Sequence, residues 1–193
     1  YVHTSATLMD LREYPKRLVI VGGGYIGLEF SSMYSGFGTE VTVLQDGEVL
    51  IPREDRDVAE AIQGVLESRG VTFKLGSRIW EIAQADGHAL VKLTYKGEEE
   101  ILEADAVLIA TGRKPIPEGL HPERAGVELN QRGAVVVDDE LKTTADNIWA
   151  MGDVHGGLQF TYTSLDDFRI IWSRMIGGSY GLSKRKAVPY SAV

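Results

Sequence analysis

Between residues 17 and 45 the chain reads RLVIVGGGYIGLEFSSMYSGFGTEVTVLQ, and its apolar positions change period twice. A continuous run at 18–21 predicts a buried strand. Ile26, Phe30, Met33 and Phe37, spaced i, i+4, i+7 and i+11, predict one buried helical stripe, and the run at 40–45 predicts a second strand. Residues 55–69 repeat the helical period, with Val58, Ala61, Ile62, Val65 and Leu66 on one face and Gly70 as the C-terminal stop. Residues 71–75 predict a third parallel strand. The period then drops to two over 78–84, 88–95 and 99–102, joined by Asp86-Gly87 and Lys96-Gly97. That is an antiparallel meander in the place of a crossover helix. The run DAVLIA at 105–110 returns to the sheet and ends in Thr111-Gly112-Arg113. After a proline-containing loop at 114–122, strands are expected at 134–137 and 147–151, then a helix from about Ser164 with Ser164 and Asp167 as its S-x-x-D capping box. The fold class is α/β: a Rossmann-like parallel sheet with an antiparallel β-meander insertion.

The first strand meets the first long helix through Gly22-Gly23-Gly24-Tyr25-Ile26-Gly27. Each spaced glycine has a task in holding a dinucleotide. Gly22 permits the tight turn, Gly24 lets backbone N–H groups approach a pyrophosphate, and Gly27 lets the helix pack closely on the sheet. The phosphates would then lie at a helix N-terminus, whose N–H donors and macrodipole favour anions. A glycine turn without a ligand is the competing reading, and the register of strand, turn and helix favours the cradle.

Composition narrows the picture. The 193 residues, 44% of them hydrophobic and 25% charged, suit one globular domain or one and a half. A net charge of −8 argues against nucleic acid or an anionic membrane surface as partner. Apolar runs are strand-sized and no signal peptide is seen, so a cytoplasmic location is expected. The absence of cysteine excludes disulfide and thiol chemistry within these residues. His3, His88, His121 and His155 lack metal-ligand spacing, and no metal site is expected. Gly177-Gly178-Ser179-Tyr180-Gly181 fits the hydrolase pattern G-x-S-x-G, but Leu165, Phe168, Ile171, Trp172, Met175 and Ile176 before it have helical spacing. It reads as a helix stop and not a nucleophile elbow. Lys184-Arg185-Lys186 reads as a solvated loop. A start at Tyr1 and an apolar run at 189–193 suggest a piece of a longer polypeptide.

The order GGGYIGLE, meander, IATGRKP and NIWAMGD resembles the pyridine-nucleotide-disulfide oxidoreductases, flavoproteins such as glutathione reductase, lipoamide dehydrogenase and mercuric reductase, along nearly the whole chain. The segment QFTYTSLDDF is similar to the mercuric-reductase-like branch that includes the reactive-chlorine resistance flavoproteins. The resemblance implies an NAD(P)-binding domain at 1–115, the returning C-terminal part of an FAD domain at 116–182, and the start of a dimerisation domain at 183–193. It further implies a homodimeric parent. By the same resemblance Gly22, Gly24 and Gly27 would hold the NAD(P)H pyrophosphate, with Gly23 and Ile26 in the same NAD(P) site. Tyr25 matches a tyrosine that covers the flavin until nicotinamide displaces it, against the plainer reading of an exposed aromatic at a helix start. Glu29 matches a glutamate near the nicotinamide carboxamide, and a first-turn glutamate would also complement the helix dipole. Gly112 matches a glycine that lets backbone approach the nucleotide, and Ile79 would flank the adenine or fill the core. Gly152 and Asp153 match the pair whose carboxylate binds the FAD ribityl chain. Gln159, Phe160, Thr161 and Tyr162 fall where backbone N–H groups face the flavin.

The function implied is an FAD-dependent oxidoreductase passing hydride from NAD(P)H to FAD and on to a disulfide or other small-molecule acceptor. An NADH oxidase or peroxidase of the same architecture, or a nucleotide-sensing module without turnover, are the alternatives. These residues alone would be inactive, with an incomplete FAD site and no catalytic residue beyond the Tyr25 gate. Gln45 occupies the position at the end of the second strand where NAD enzymes of the family place an acid, and Asp46 stands where NADP-using relatives place an arginine. A carboxylate there favours NADH, unless Arg53 swings in to neutralise it.

Overall fold

Strands that are apolar on both faces need cover on both, and here the two faces are covered differently. The computed structural model describes residues 1–186 in two compact units, the first spanning Tyr1–Gly112 and the second beginning at Arg113. In chain order the first unit contains β1 (Val2–His3), α1 (Ser5–Met9), β2 (Arg17–Val21), α2 (Tyr25–Gly36), β3 (Glu40–Gln45), α3 (Arg56–Ser68) and β4 (Thr72–Leu75), then β5 (Arg78–Ala85), β6 (His88–Tyr95), β7 (Glu98–Ala104) and β8 (Ala106–Ile109). Five strands form a parallel sheet in the order β1-β8-β2-β3-β4, and β5, β6 and β7 form a separate antiparallel sheet. Successive side chains on β2 point to opposite faces. Leu18 and Ile20 join Leu28, Phe30 and Tyr34 of α2 and Leu66 of α3 in one core. Val19 joins Leu44 and Val107 against Ala89, Val91 and Leu93 of β6 in another. The meander therefore does on one face what helices do on the other.

The expected stripe on α2 is rotated. Its buried residues are Gly27, Leu28, Phe30, Ser31 and Tyr34, while Met33 and Phe37 are 39% and 49% exposed. The cause is Gly27, where a Cβ would overlap the Gly22 carbonyl oxygen. Once that side faces the sheet, Met33 must turn outward, and Phe37 stacks instead on Tyr14 with ring centroids 4.6 Å apart. On α3 only Ala59 and Leu66 are buried, with Ile62 packed against the core, and Val58 and Val65 lie exposed. The helix meets the sheet along a narrow edge rather than the broad face its sequence offers. Gly70 does close it: Gly70 N–H donates to the Glu67 carbonyl at 2.9 Å and Val71 N–H to that of Leu66 at 3.1 Å. The N-terminal strand and helix went unread from sequence, although Thr4 and Thr7 cap α1 reciprocally.

In the second unit the expected strands at 134–137 and 147–151 do not form ladders. Among the described residues there are only single bridges, Leu129 with Val135, Val137 with Thr143 and Lys142 with Trp149. The donors along 135–138 go to three different segments, Val135 to Val154, Val136 to Glu128 and Asp138 to Lys142, so no two-strand register accumulates. A small core of Val127, Val135, Ala145 and Ala150 holds these turns. α4 (Thr161–Met175) follows and ends at Ile176. Gly177 N–H donates to the Arg174 carbonyl and Gly178 N–H to that of Ser173, so the G-x-S-x-G segment leaves a helix C-terminus. The apolar run at 189–193, and most of the expected dimerisation segment, lie outside the described residues.

Candidate functional site

The glycine turn has the geometry of a cradle. Gly22 has φ of 114° and leaves no room for a side chain against the Ala110 backbone, as a tight exit from β2 demands. Gly22 N–H donates to the Leu44 carbonyl at 2.8 Å, tying the turn to β3. Gly24 is the N-cap of α2. No side chain caps that end, and the space beside Gly24 is open for 4 Å around a would-be Cβ. An uncapped helix N-terminus with open space beside it fits a pyrophosphate. Gly112, after β8, also has open space beside it. Ile26 packs against the core, and Ile79 packs against the cluster between the two sheets.

At the end of β3, Gln45 braces the turn. Its Oε1 accepts from Gly23 N–H at 2.7 Å and its Nε2 donates to Asp46 Oδ1 at 2.9 Å. Asp46 Oδ1 also accepts from Gly47 N–H at 2.8 Å, which leaves an exposed carboxylate held in one orientation. Both ends of the Gln45 amide are thus engaged within the loop. Glu29 is exposed on α2, but it is the fifth helical residue and not in the first turn. The helix-dipole reading of Glu29 is accordingly wrong, because that effect fades beyond the first turn. The Tyr25 hydroxyl donates to the carboxylate of Glu54, a residue the sequence left unmarked.

In the second unit Gly152 and Asp153 open a single helical turn, Gly152–His155. Asp153 keeps a side chain 44% exposed, with Arg113 Nη1 at 3.4 Å. The helix beyond starts three residues earlier than expected: Phe160 is its N-cap, Thr161 and Tyr162 are its first residues, and Gln159 immediately precedes it. Ser164 and Asp167 are inside the helix and form no capping box. Asp167 is fully buried and turns back to the preceding turn. It accepts from Gly152 N–H at 2.7 Å, from His155 Nε2 at 2.9 Å and from Arg185. Burial pushes its carboxyl up, but the bonds from His155, Arg185 and Gly152 outweigh burial, and it titrates below its ordinary value. The Arg185 guanidinium also reaches Asp166 at 2.7 Å. No local sequence signal marks Asp167 as inward-facing; its contacts with Gly152, His155 and Arg185 do.

The comparisons with known proteins agree with these motifs. The model of the pyridine nucleotide-disulphide oxidoreductase family matches residues 1–167. The chain is 49% identical over 191 residues to the probable pyridine nucleotide-disulfide oxidoreductase RclA of Escherichia coli, covering 98% of this chain and 42% of that protein. It is 38% identical over 175 residues to a mercuric reductase of Bacillus cereus, covering 91% of this chain and 28% of the other. It superposes on the solved structure of the HOCl-induced flavoprotein disulfide reductase RclA from Escherichia coli with a TM-score of 0.90 at 48% identity, over 99% of this chain and 43% of that one. The chain thus spans less than half the length of these relatives. No described helix is long and apolar enough to cross a membrane. With a family match over most of its length and three ordered motifs, the chain belongs to the pyridine nucleotide-disulphide oxidoreductase family.

Proposed function

We propose that this chain is the NAD(P)H-binding portion, with part of the FAD site, of an oxidoreductase that passes hydride from NAD(P)H to FAD and on to a disulfide or other small-molecule acceptor. The cradle carries this reading: an uncapped α2 N-terminus beside open space at Gly24, with Gly22 and Gly27 locking turn, strand and helix together. When bound, the cofactors supply the hydride chemistry, and the chain orients them. Gly24 and the first residues of α2 meet the pyrophosphate, while Gly23, whose N–H and carbonyl are taken by Gln45 and Ile51, holds the turn in shape; Gly112 leaves space for the nucleotide; Glu29 faces solvent on the same helix. In the second unit Asp153 offers a carboxylate to the FAD polyol, and the uncapped start of α4, at Gln159 to Tyr162, offers N–H groups and a positive helix end to the flavin.

Nucleotide choice follows from Asp46. Its carboxylate is held by Gln45 and Gly47, and a 2′-phosphate brought near it is disfavoured by about 1 kcal/mol after screening, roughly a fivefold preference for NADH over NADPH. Titration of both nucleotides at low salt reads this directly, and Asp46→Arg is expected to reverse it. Tighter NADPH binding by the wild type, or no gain from the arginine, refutes the assignment. Produced as these 193 residues alone, the chain is expected to bind nucleotide while lacking both turnover and a stoichiometric flavin absorbance band. One flavin per purified chain would overturn that expectation.

A further inference from the structure

One buried carboxylate holds both ends of the turn that carries Asp153. Asp167 Oδ2 accepts from Gly152 N–H at 2.7 Å, at the start of that turn, and from His155 Nε2 at 2.9 Å, at its end. Gly152 has φ of 73° and lies close against α4, where a Cβ would stand 3.0 Å from Ser164 Oγ. Between these two anchors the Asp153 side chain stays 44% exposed. The other oxygen of Asp167, Oδ1, accepts from Arg185 Nη2, and Arg185 Nε donates to Asp166 Oδ2 at 2.7 Å. One guanidinium thus bridges two adjacent carboxylates, a fork that lysine cannot reproduce. The segment bearing it is tied down separately: Leu182 N–H donates to the Asp139 carbonyl at 2.8 Å and Ser183 N–H to the Asp139 carboxylate at 2.6 Å.

We propose that Arg185 is a positioning residue for FAD, acting through Asp167 to fix the turn from which Asp153 reaches the polyol. This rests on the reading of Asp153 as a flavin ligand and adds to it a residue that acts only through another side chain. Asp167 is fully buried, and a buried carboxylate is costly without a charged partner. With Arg185 removed, it faces one peptide N–H and one imidazole. Burial then favours the neutral carboxyl, which holds both donors more weakly, and the turn samples arrangements that do not present Asp153. A ligand that needs the presenting arrangement binds more weakly in proportion to the population lost.

The test uses the full-length protein, stripped of flavin and titrated with FAD by the change in flavin fluorescence, at a temperature where each variant is folded. Affinities are measured for the wild type, Arg185→Gln, Arg185→Lys, Asp153→Ala and the Asp153→Ala, Arg185→Gln double variant. Arg185→Gln is expected to weaken FAD about tenfold, and Arg185→Lys, which keeps the charge without the fork, about fourfold. Asp153→Ala is expected to weaken FAD about tenfold, and adding Arg185→Gln to it to cost no more than about twofold further, because the turn then has no carboxylate to present. FAD affinity of Arg185→Gln within about twofold of the wild type overturns the proposal. So does an equal loss with and without Asp153, since a general support of the unit weakens FAD whatever stands at that position. If Arg185→Gln does not fold, the same cycle run with Arg185→Lys decides between these outcomes. Wild-type FAD affinity in Asp153→Ala would instead refute the flavin-ligand reading itself.

Discussion

Replacing Gly27 by valine is expected to lower the melting temperature by more than about 10 °C, a loss of about 3 kcal/mol at the upper end of what overpacking produces. The atom a Cβ would meet is the Gly22 carbonyl oxygen, with Ile20 Cγ2 at 3.3 Å behind it. A flexible side chain could move aside, but that carbonyl belongs to the turn itself, so α2 must separate from β2. Gly27→Ala separates this cause from propensity. In an exposed helix alanine would stabilise by about 1 kcal/mol relative to glycine, so a net loss with alanine can come only from the contact. Melts of both variants within error of the wild type would show that α2 does not lie as close to β2 as described.

The second large effect is expected at Asp167. Asp167→Asn keeps the shape of the side chain but removes the charge facing His155 and Arg185 and gives up acceptor capacity now used by three donors. Breaking a buried ion pair from one side typically costs about 3 to 5 kcal/mol; because Arg185 retains Asp166, about 3 kcal/mol is expected here. The pH dependence has a defined sign. The folded carboxyl titrates below its ordinary value of 3.8, so its stabilisation is present above that value and is lost as the pH falls through the folded one. The gap in stability between wild type and Asp167→Asn should therefore be full at neutral pH and shrink below about pH 4. A gap that stays constant down to pH 2, or no gap at neutral pH, would contradict the role assigned to this carboxylate.

These two positions also mark where the sequence was legible and where it was not. β3 has the bounds its apolar run predicts, and the meander follows its Asp-Gly and Lys-Gly turns, because alternation and turn chemistry are local properties. The three spaced glycines were legible for the same reason. The burial face of α2 was not, because it is set by one close backbone approach at Gly27 and not by the sum of apolar residues along the helix. The start of α4 was misplaced because serine and aspartate three apart suit a cap equally well in isolation, and only the distant Gly152 and Arg185 show that Asp167 faces inward. Glu54 was invisible for a related reason: its partner Tyr25 lies 29 positions away, and nothing in the spacing links them. In the second unit, backbone donors distributed among several partners defeated a strand pattern that was locally sound.

At the edge of the parallel sheet, β1 contributes only Val2 and His3, paired with Val107 and Leu108 of β8, and the Tyr1 carbonyl accepts from Val107 N–H at 2.7 Å. Thr4 then caps α1 and turns the chain away. Beneath this sliver lies β8, apolar at every position. Proteins guard such rows of unpaired backbone groups with very short edge strands, which offer an approaching strand almost no ladder on which to extend. Disruption of this two-residue pairing would therefore uncover a sticky template while the glycine turn stayed intact, and self-association between sheets would be the first visible damage.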